Sequence, residues 1–202
     1  MKTDKDVALN IFGINEAEAP GLLIELDKER AFYKRIRELK GVKVAVHLFY
    51  ARMEEEIKHL KEDKQHTISC LNCKTGYCCH QQIDVSDDEA KVIVDFCNAV
   101  EIPIPHEYLK KQLATTKFMQ LKKGCSACVF LKDNRCSIYP VRPAVCRTYF
   151  AVSSIHFCDM AKYPKHRVLQ ATSPPAELIK MAMMYEGGKV DILQKQLLKH
   201  SK

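Results

Sequence analysis

The stretches CLNCKTGYCC (residues 70–79) and CVFLKDNRCSIYPVRPAVCRTY (residues 128–149) decide how the middle of this chain folds. Together with Cys125 and Cys158, they contain nine of the ten cysteines in the 202-residue sequence. Two cysteines with two residues between them let their thiolates converge on one ion around a tight turn. Nine clustered thiols are enough for two four-thiolate metal sites, with one thiol left over.

Bound metal would supply stability that this region lacks, because residues 124–159 show no clear helical period. Structural zinc contributes roughly 10–16 kcal/mol of folding free energy, against a net stability of about 5–15 kcal/mol for a typical domain. The adjacent Cys78 and Cys79 would point apart in extended backbone. We therefore expect them to reach different metals, or one of them to pack. Cys97 lies outside the clusters, on the apolar face of a predicted helix, and is predicted to belong to the core.

All-thiolate sites suit zinc or an iron–sulfur cluster, so the sequence predicts zinc or iron as the cofactor. The ferredoxin spacings and the standard zinc-finger spacings are absent. His80 and His156 are predicted to lie beside the site or at the surface. The predicted metal ligands, for which Cys125 is a substitute, are Cys70, Cys73, Cys78, Cys79, Cys128, Cys136, Cys146 and Cys158.

Three residues between these cysteines are predicted to support the cofactor. Arg142 and Arg147 could donate hydrogen bonds to thiolate sulfur or balance the charge of an anionic cluster. The hydroxyl of Tyr139 could donate to the same site. The alternative is that the two arginines only cap carbonyl groups of the loop.

Helical periodicity on both sides of the cysteines predicts a mainly α protein with an irregular, metal-binding centre. Apolar residues at helical spacing predict helices over residues 22–39 and 42–60, joined as an antiparallel hairpin. The apolar stripe of the second helix is expected to form core or dimer surface. Glu54 and Lys58, four residues apart, are expected on its solvent side. Residues 1–20 are expected to form a loose arm.

Four further helices complete the predicted architecture. Ser86-Asp-Asp-Glu89 is a capping box, in which the serine and the glutamate satisfy each other's backbone N–H groups. Ser173-Pro174 is a good helix start, and Gly187-Gly188 a good end. These signals and the apolar spacing predict helices over residues 86–100, 106–119, 174–186 and 190–198.

The elements divide the chain into three predicted parts. Residues 1–68 form an N-terminal helical region, and residues 69–160 form a cysteine-cluster metal-binding domain. Residues 161–202 form C-terminal helices that pack on the core.

Composition and charge exclude several classes of protein. No run of about 18 apolar residues could span a bilayer, and the N-terminus lacks the apolar segment of a secretory signal. The thiols are therefore expected to stay reduced in the cytoplasm. The net charge of +7 falls entirely within residues 70–202, which hold 19 Lys and Arg against 12 Asp and Glu. Two anionic thiolate sites would offset about four of these charges.

The two cysteine stretches, followed by Cys158, resemble the YkgJ-type cysteine-cluster family, described as a zinc- or iron-chelating domain. The resemblance covers about residues 69–160, and the segment from Cys128 to Arg147 is its more distinctive half. The first stretch departs from the family's C-x2-C-x2-CC, because four residues precede its CC pair. The resemblance implies metal chelation without naming the metal or a reaction. Some flagellin lysine methylases resemble the family in this cluster, which suggests iron–sulfur-linked methyl transfer.

The sequence thus predicts a cytosolic protein that binds zinc, iron or an iron–sulfur cluster, and two alternatives stay open. One is an iron–sulfur-dependent methyl-transfer or redox enzyme, although common nucleotide-binding and hydrolase motifs are absent. The other is a zinc-organised module that binds protein or nucleic acid. Nucleic acid is disfavoured because the chain has no Trp and no aromatic residues alternating with its basic ones. A protein partner or a second copy is expected at the N-terminal helices.

Overall fold

Helices dominate the computed structural model, which describes residues 19–58, 75–115, 127–159, 162, 165 and 168–201. The described α-helices are α1 (Ala19–Lys40), α2 (Val42–Glu56), α3 (Asp87–Ala99), α4 (His106–Thr115), α5 (Ala144–Thr148), α6 (Pro174–Glu186) and α7 (Leu193–His200). The short strands are β1 (Asp84–Ser86), β2 (Leu131–Lys132), β3 (Arg135–Cys136), β4 (Phe150–Ala151), β5 (Gln170–Ala171) and β6 (Val190–Ile192). They form three antiparallel pairs, β1–β6, β2–β3 and β4–β5. The predicted mainly α fold is confirmed.

Helices α1 and α2 form the predicted antiparallel hairpin. The chain turns at Gly41, whose φ of 86° is a conformation that side chains disfavour. Tyr33 packs edge-on against Phe49, with ring centroids 4.8 Å apart. Arg52 Nη2 donates to Glu29 Oε1 at 2.6 Å. From Tyr33 back to Glu29 in α1, the partner in α2 advances from Phe49 to Arg52, so the two helices run in opposite directions.

The apolar stripe of α2 belongs to the core, where Val46, Phe49 and Met53 are fully buried. The stripe of α1 is shorter than predicted, because Leu39 is 65% exposed whereas Leu26 is buried. At about 100° per residue, Leu39 lies roughly 140° around the helix from Leu26, on the opposite side. The hairpin packs mainly against α6.

Local capping signals locate two helix starts correctly. The Ser86 hydroxyl accepts from the Glu89 N–H at 3.3 Å, and Glu89 Oε2 accepts from the Ser86 N–H at 3.2 Å, so the capping box of α3 is confirmed. Helix α6 begins at Pro174 after the capping residue Ser173, and it ends at Glu186 with Gly187 as its C-cap. The predicted helix over residues 106–119 is present to Thr115, and its remainder lies outside the described residues.

The chain's last predicted helix begins later than expected. Val190–Ile192 form β6, whose Asp191 pairs with Val85 of β1, and helix α7 starts only at Leu193. The prediction was wrong for these three residues because pairing with a distant strand satisfies their backbone groups. Apolar spacing along one segment carries no information about such a partner.

One hydrophobic core joins the flanking helices to the cysteine-rich region. It contains side chains of the hairpin, α3, α6 and α7, together with Phe130, Ile138 and Val141 from the irregular centre. The division into residues 1–68, 69–160 and 161–202 stays a prediction. Residues 1–18 of the predicted arm lie outside the described residues, and α1 begins at Ala19. None of the described helices combines the length and the apolarity that crossing a bilayer requires.

Candidate metal centre

Six cysteines of the two stretches and the following loop surround one cavity of about 490 Å³: Cys78, Cys79, Cys128, Cys136, Cys146 and Cys158. None of the described cysteines forms a disulfide. Taken as whole residues, Cys78 and Cys146 are exposed, whereas Cys158 is buried. The remaining predicted ligands, Cys70 and Cys73, and the substitute Cys125 lie outside the described residues.

The adjacent Cys78 and Cys79 are held by a 3-10 helix over Tyr77–His80, which follows Gly76 in a left-handed conformation with φ of 63°. The expectation of extended backbone at this pair was therefore wrong, because a tight turn draws the two side chains together. Their thiols hydrogen-bond to each other, which lowers the pKa of Cys78 to about 7 and raises the pKa of Cys79. The carbonyl of Cys79 accepts from the Cys128 N–H at 2.6 Å, so backbone joins the two stretches.

Cys136 is positioned by a tight β-hairpin. Asp133 and Asn134 connect β2 to β3, and both have positive φ, 50° and 59°, as a two-residue hairpin turn of the primed type requires. The pairing sets Cys136 opposite Leu131. The Ser137 N–H and hydroxyl both donate to the Phe130 carbonyl, at 2.8 and 3.0 Å, which holds the base of the hairpin.

Cys146 lies on the short helix α5, whose start is fixed by a buried carboxylate. Glu89 Oε1 accepts from the Ala144 N–H at 2.8 Å and from the Tyr50 hydroxyl at 3.1 Å. Burial raises the pKa of Glu89, although these hydrogen bonds oppose the shift. One side chain therefore joins α2, α3 and the segment that carries Cys146.

A second carboxylate, Glu54 of α2, binds both arginines of the cysteine loop. Its Oε1 accepts from Arg142 Nη2 at 2.6 Å and from Arg147 Nη1 at 2.9 Å. The expectation that Glu54 lies on the solvent side beside Lys58 was wrong, since its acceptor meets two nearly buried guanidinium groups. Lys58 instead lies near Glu55, with their charged atoms 3.9 Å apart. This ion pair could not be recognised from the sequence, because the arginines are about 90 residues away from Glu54.

The other arginine donors brace the loop itself. Arg147 donates to the carbonyls of Arg142 and Pro140, at 2.9 and 2.6 Å, and Arg142 donates to the Tyr139 carbonyl at 3.2 Å. Their guanidinium carbons lie 3.9 Å from the ring centroids of Tyr50 and Tyr139, respectively. The three predicted cofactor-supporting residues all line the cavity. Both arginines donate to loop carbonyls, as the capping alternative expects, and also to Glu54, so their support of a cofactor stays a prediction. Both arginine charges favour the thiolate form of Cys136.

The raised pKa values of three of the cavity thiols indicate that a bound cation would stabilise their thiolate forms. Burial raises the pKa of Cys128 to about 11 and also raises the pKa of Cys136 and Cys146. Neighbouring thiolates raise these pKa values further because like charges repel. Burial and mutual repulsion therefore disfavour several thiolates in this cavity, and a positive ion between them would offset both effects. A set of soft sulfur donors of this kind fits zinc or iron.

The described thiols line a cavity without forming a ready-made ion cage. Within the described ranges, no three His, Cys, Asp or Glu side chains converge in a geometry that could hold an ion. His80 and His156 are exposed, as expected for residues beside the site or at the surface. Cys97 is fully buried in the core, as predicted.

A known family model matches a stretch of the chain that includes all the cysteines around the cavity. Residues 69–169, half of the chain, match the model of the CxxCxxCC family, described as a proposed zinc- or iron-chelating domain. The chain belongs to the CxxCxxCC family. No curated protein and no solved structure matches it. The CxxCxxCC match begins before the first cysteine and extends beyond the last, so it includes every cysteine assigned to the cavity.

Sequence reasoning missed two glutamines beside the CxxCxxCC cluster. Gln112 of α4 and Gln194 of α7 are both buried, and Gln194 lines the cavity. Gln112 Nε2 donates to the carbonyl of Ala127, the residue before Cys128, at 2.7 Å. A glutamine within an otherwise apolar helix face could have indicated these residues, because a buried side-chain amide needs hydrogen-bond partners.

Proposed function

We propose that this protein binds zinc or iron through thiolates that its loops bring to the cavity. The proposal rests on one observation above all, the six cysteines around a single cavity. Membership of the CxxCxxCC family supports it. The proposed ligands come from Cys78, Cys79, Cys128, Cys136, Cys146 and Cys158, with Cys70 and Cys73 from the first stretch.

The protein's own residues have separate tasks in this proposal. The 3-10 helix, the β-hairpin and α5 each present a thiol to the cavity from a different backbone turn. Glu89 and Glu54 hold α5 and the loop before it against α3 and α2. Bound metal would supply the positive charge that lets several thiolates coexist. A reducing, cytoplasmic environment is part of the proposal, since thiols persist there.

The cavity favours an iron–sulfur enzyme of methyl-transfer or redox chemistry as a second candidate. Structural zinc sites are closed by their four protein ligands. A volume of about 490 Å³ with largely apolar walls is more than such a closed site requires. It leaves room for a substrate beside the thiols.

Anaerobic purification followed by elemental and sulfide analysis tests the proposal. We expect zinc or iron in a stoichiometric amount, and iron with acid-labile sulfide and a visible absorption band would select the second candidate. A colourless protein with stoichiometric zinc would exclude the iron–sulfur version. Protein that contains no zinc, iron or sulfide, even after anaerobic reconstitution, would overturn the proposal.

Three cysteine variants locate the site. We expect Cys136→Ser and Cys146→Ser to lower the metal content and the melting temperature together. Cys97→Ser is the matched control, because this thiol is fully buried in the core rather than at the cavity. It should lower the melting temperature through packing while the metal content stays unchanged. Equal metal content in all three variants would contradict the assignment.

A further inference from the structure

The closed end of the α1–α2 hairpin, residues 34–44, exposes two aliphatic side chains to solvent; we call this segment the hairpin tip. Leu39, in the last turn of α1, is 65% exposed, and Val44, in the first turn of α2, is 49% exposed. They lie five residues apart in the sequence, and the chain reverses direction between them at Gly41. Both side chains therefore lie at the same end of the helix pair, and neither belongs to the buried core.

Basic residues surround these two side chains, and most of them lack a carboxylate partner. Residues 30–53 contain seven Lys and Arg but a single acidic residue, Glu38. Three of the seven pair with carboxylates from outside this stretch, namely Arg30, Arg37 and Arg52. The other four are exposed, lie in the hairpin tip and form no ion pair with a described residue: Lys34, Arg35, Lys40 and Lys43. With four unpaired positive charges against the one negative charge of Glu38, the tip is strongly basic.

Aliphatic side chains flanked by lysines match the surface of an anionic membrane. Basic side chains are attracted to anionic headgroups, and apolar side chains between them enter the boundary with the acyl chains. The flexible lysine stems keep the charges of Lys40 and Lys43 in the hydrated headgroup layer. A groove on a partner protein would cover Leu39 and Val44 only by also desolvating those unpaired charges, which is costly.

Nucleic acid fits the hairpin tip less well than lipid does. Single-stranded nucleic acid is held by aromatic side chains on which its bases stack, in addition to positive charge. Residues 34–44 contain no aromatic residue. Phosphate attraction alone would leave the two exposed aliphatic side chains without a role.

We propose that the hairpin tip docks on membrane surfaces that contain anionic phospholipids. Leu39 and Val44 enter the interface, and Lys40 and Lys43 contact the charged groups of the lipids. This inference goes beyond metal binding and does not depend on it, because no residue of the tip lines the cysteine cavity.

Co-sedimentation of the full chain, as purified, with lipid vesicles tests the docking. We expect binding to phosphatidylcholine vesicles that contain about 30% phosphatidylserine, and little binding to phosphatidylcholine alone. Raising the ionic strength from about 0.05 M to about 0.5 M should weaken the binding by at least about fivefold, because salt screens the lysine charges. Metal content is measured on the same samples, so a failure of metal binding and a failure of docking are distinguishable. Absence of binding at low ionic strength, or equal binding to the two kinds of vesicle, would overturn the proposal.

Two double variants separate the charges from the aliphatic side chains. Lys40→Gln with Lys43→Gln should weaken vesicle binding by about tenfold or more, since each basic residue near the surface contributes about fivefold. Leu39→Ser with Val44→Ser keeps the net charge and should also weaken binding by about tenfold, because it removes the side chains that enter the interface. Wild-type binding by either double variant would contradict the docking mode.

The matched control is Lys110→Gln with Lys111→Gln, which removes two exposed lysines from α4 instead of the hairpin tip. It should keep wild-type binding, and all three double variants should keep the wild-type melting temperature because their side chains are exposed. Loss of binding in the control would overturn the proposal. So would vesicle binding that is absent while the tip variants abolish either binding of an oligonucleotide or self-association in analytical ultracentrifugation. Those results would assign the tip to nucleic acid or to a second copy of the chain.

Discussion

Replacing Glu54 with glutamine tests whether α2 holds the cysteine loop in place. Glu54 Oε1 lies 2.6 Å from Arg142 Nη2 and 2.9 Å from Arg147 Nη1. The two guanidinium side chains are only 11% and 5% exposed, whereas Glu54 is 30% exposed. Glu54→Gln keeps the shape and one acceptor oxygen, but it leaves two nearly buried cations without their shared counter-charge.

The size of the effect follows from this partial burial. Breaking a fully buried ion pair costs about 3–5 kcal/mol, and exposed pairs contribute about 0.2–1 kcal/mol. Because solvent screens Glu54 in part, we expect a loss of about 2 kcal/mol. For a chain of this length, such a loss lowers the melting temperature by about 4–8 °C.

Thermal unfolding followed by circular dichroism, at neutral pH and fixed metal content, measures the loss. Glu55→Gln is the control, because Glu55 and its neighbour Lys58 are 77% and 61% exposed. It should change the stability by less than about 0.5 kcal/mol. In a double-mutant cycle, Glu54→Gln and Arg142→Met should be less than additive, since both remove the same contact. Equal melting temperatures for the two glutamate variants would refute the reasoning.

Two further predictions concern the packing of α3 against the C-terminal segment. Although burial opposes it, the hydrogen bond from Lys199 at 2.6 Å helps to keep the pKa of Asp87 far below its usual value. This contribution is complete above the unfolded pKa of about 4 and is lost as the pH falls toward the lower folded value. Asp87→Asn should therefore lower the melting temperature at pH 7 by about 2–4 °C, and a difference that persists unchanged at pH 2 would contradict the ion pair. At Gly187, a Cβ would overlap the Met183 carbonyl oxygen, whereas a Cβ at Gly21 of α1 would meet nothing within 4 Å. In urea unfolding, Gly187→Ala should lower the free energy of unfolding, whereas Gly21→Ala should raise it by up to about 1 kcal/mol. A Gly187→Ala variant more stable than Gly21→Ala would contradict the packing at Gly187.

Local signals in the sequence were reliable where one short segment contains both partners of an interaction. The capping box of Ser86 and Glu89, the turn at Gly41 and the start of α6 after Ser173 all belong to this kind. So does the burial of Cys97, because helical spacing places it on the apolar face. In each case the deciding contact spans no more than about one helical turn.

Interactions between distant segments could not be predicted in the same way. Glu54 appeared to be a solvent-facing residue until folding brought Arg142 and Arg147 to it. Val190–Ile192 appeared helical until β1 provided a strand partner. In both cases the interacting partner lies about 90 or more residues away in the sequence. The periodicity of one segment carries no information about a residue that distant.

The sequence by itself determined that this is a mainly helical, cysteine-rich chain of the CxxCxxCC family, because composition, capping and cysteine spacing are local properties. Only the tertiary structure decided which thiols share a cavity and that Glu54 and Glu89 brace the segment that carries Cys146. Those outcomes depend on where independent backbone turns meet. The meeting point is set by the packing of α2, α3 and α7 around one core, which no single segment specifies.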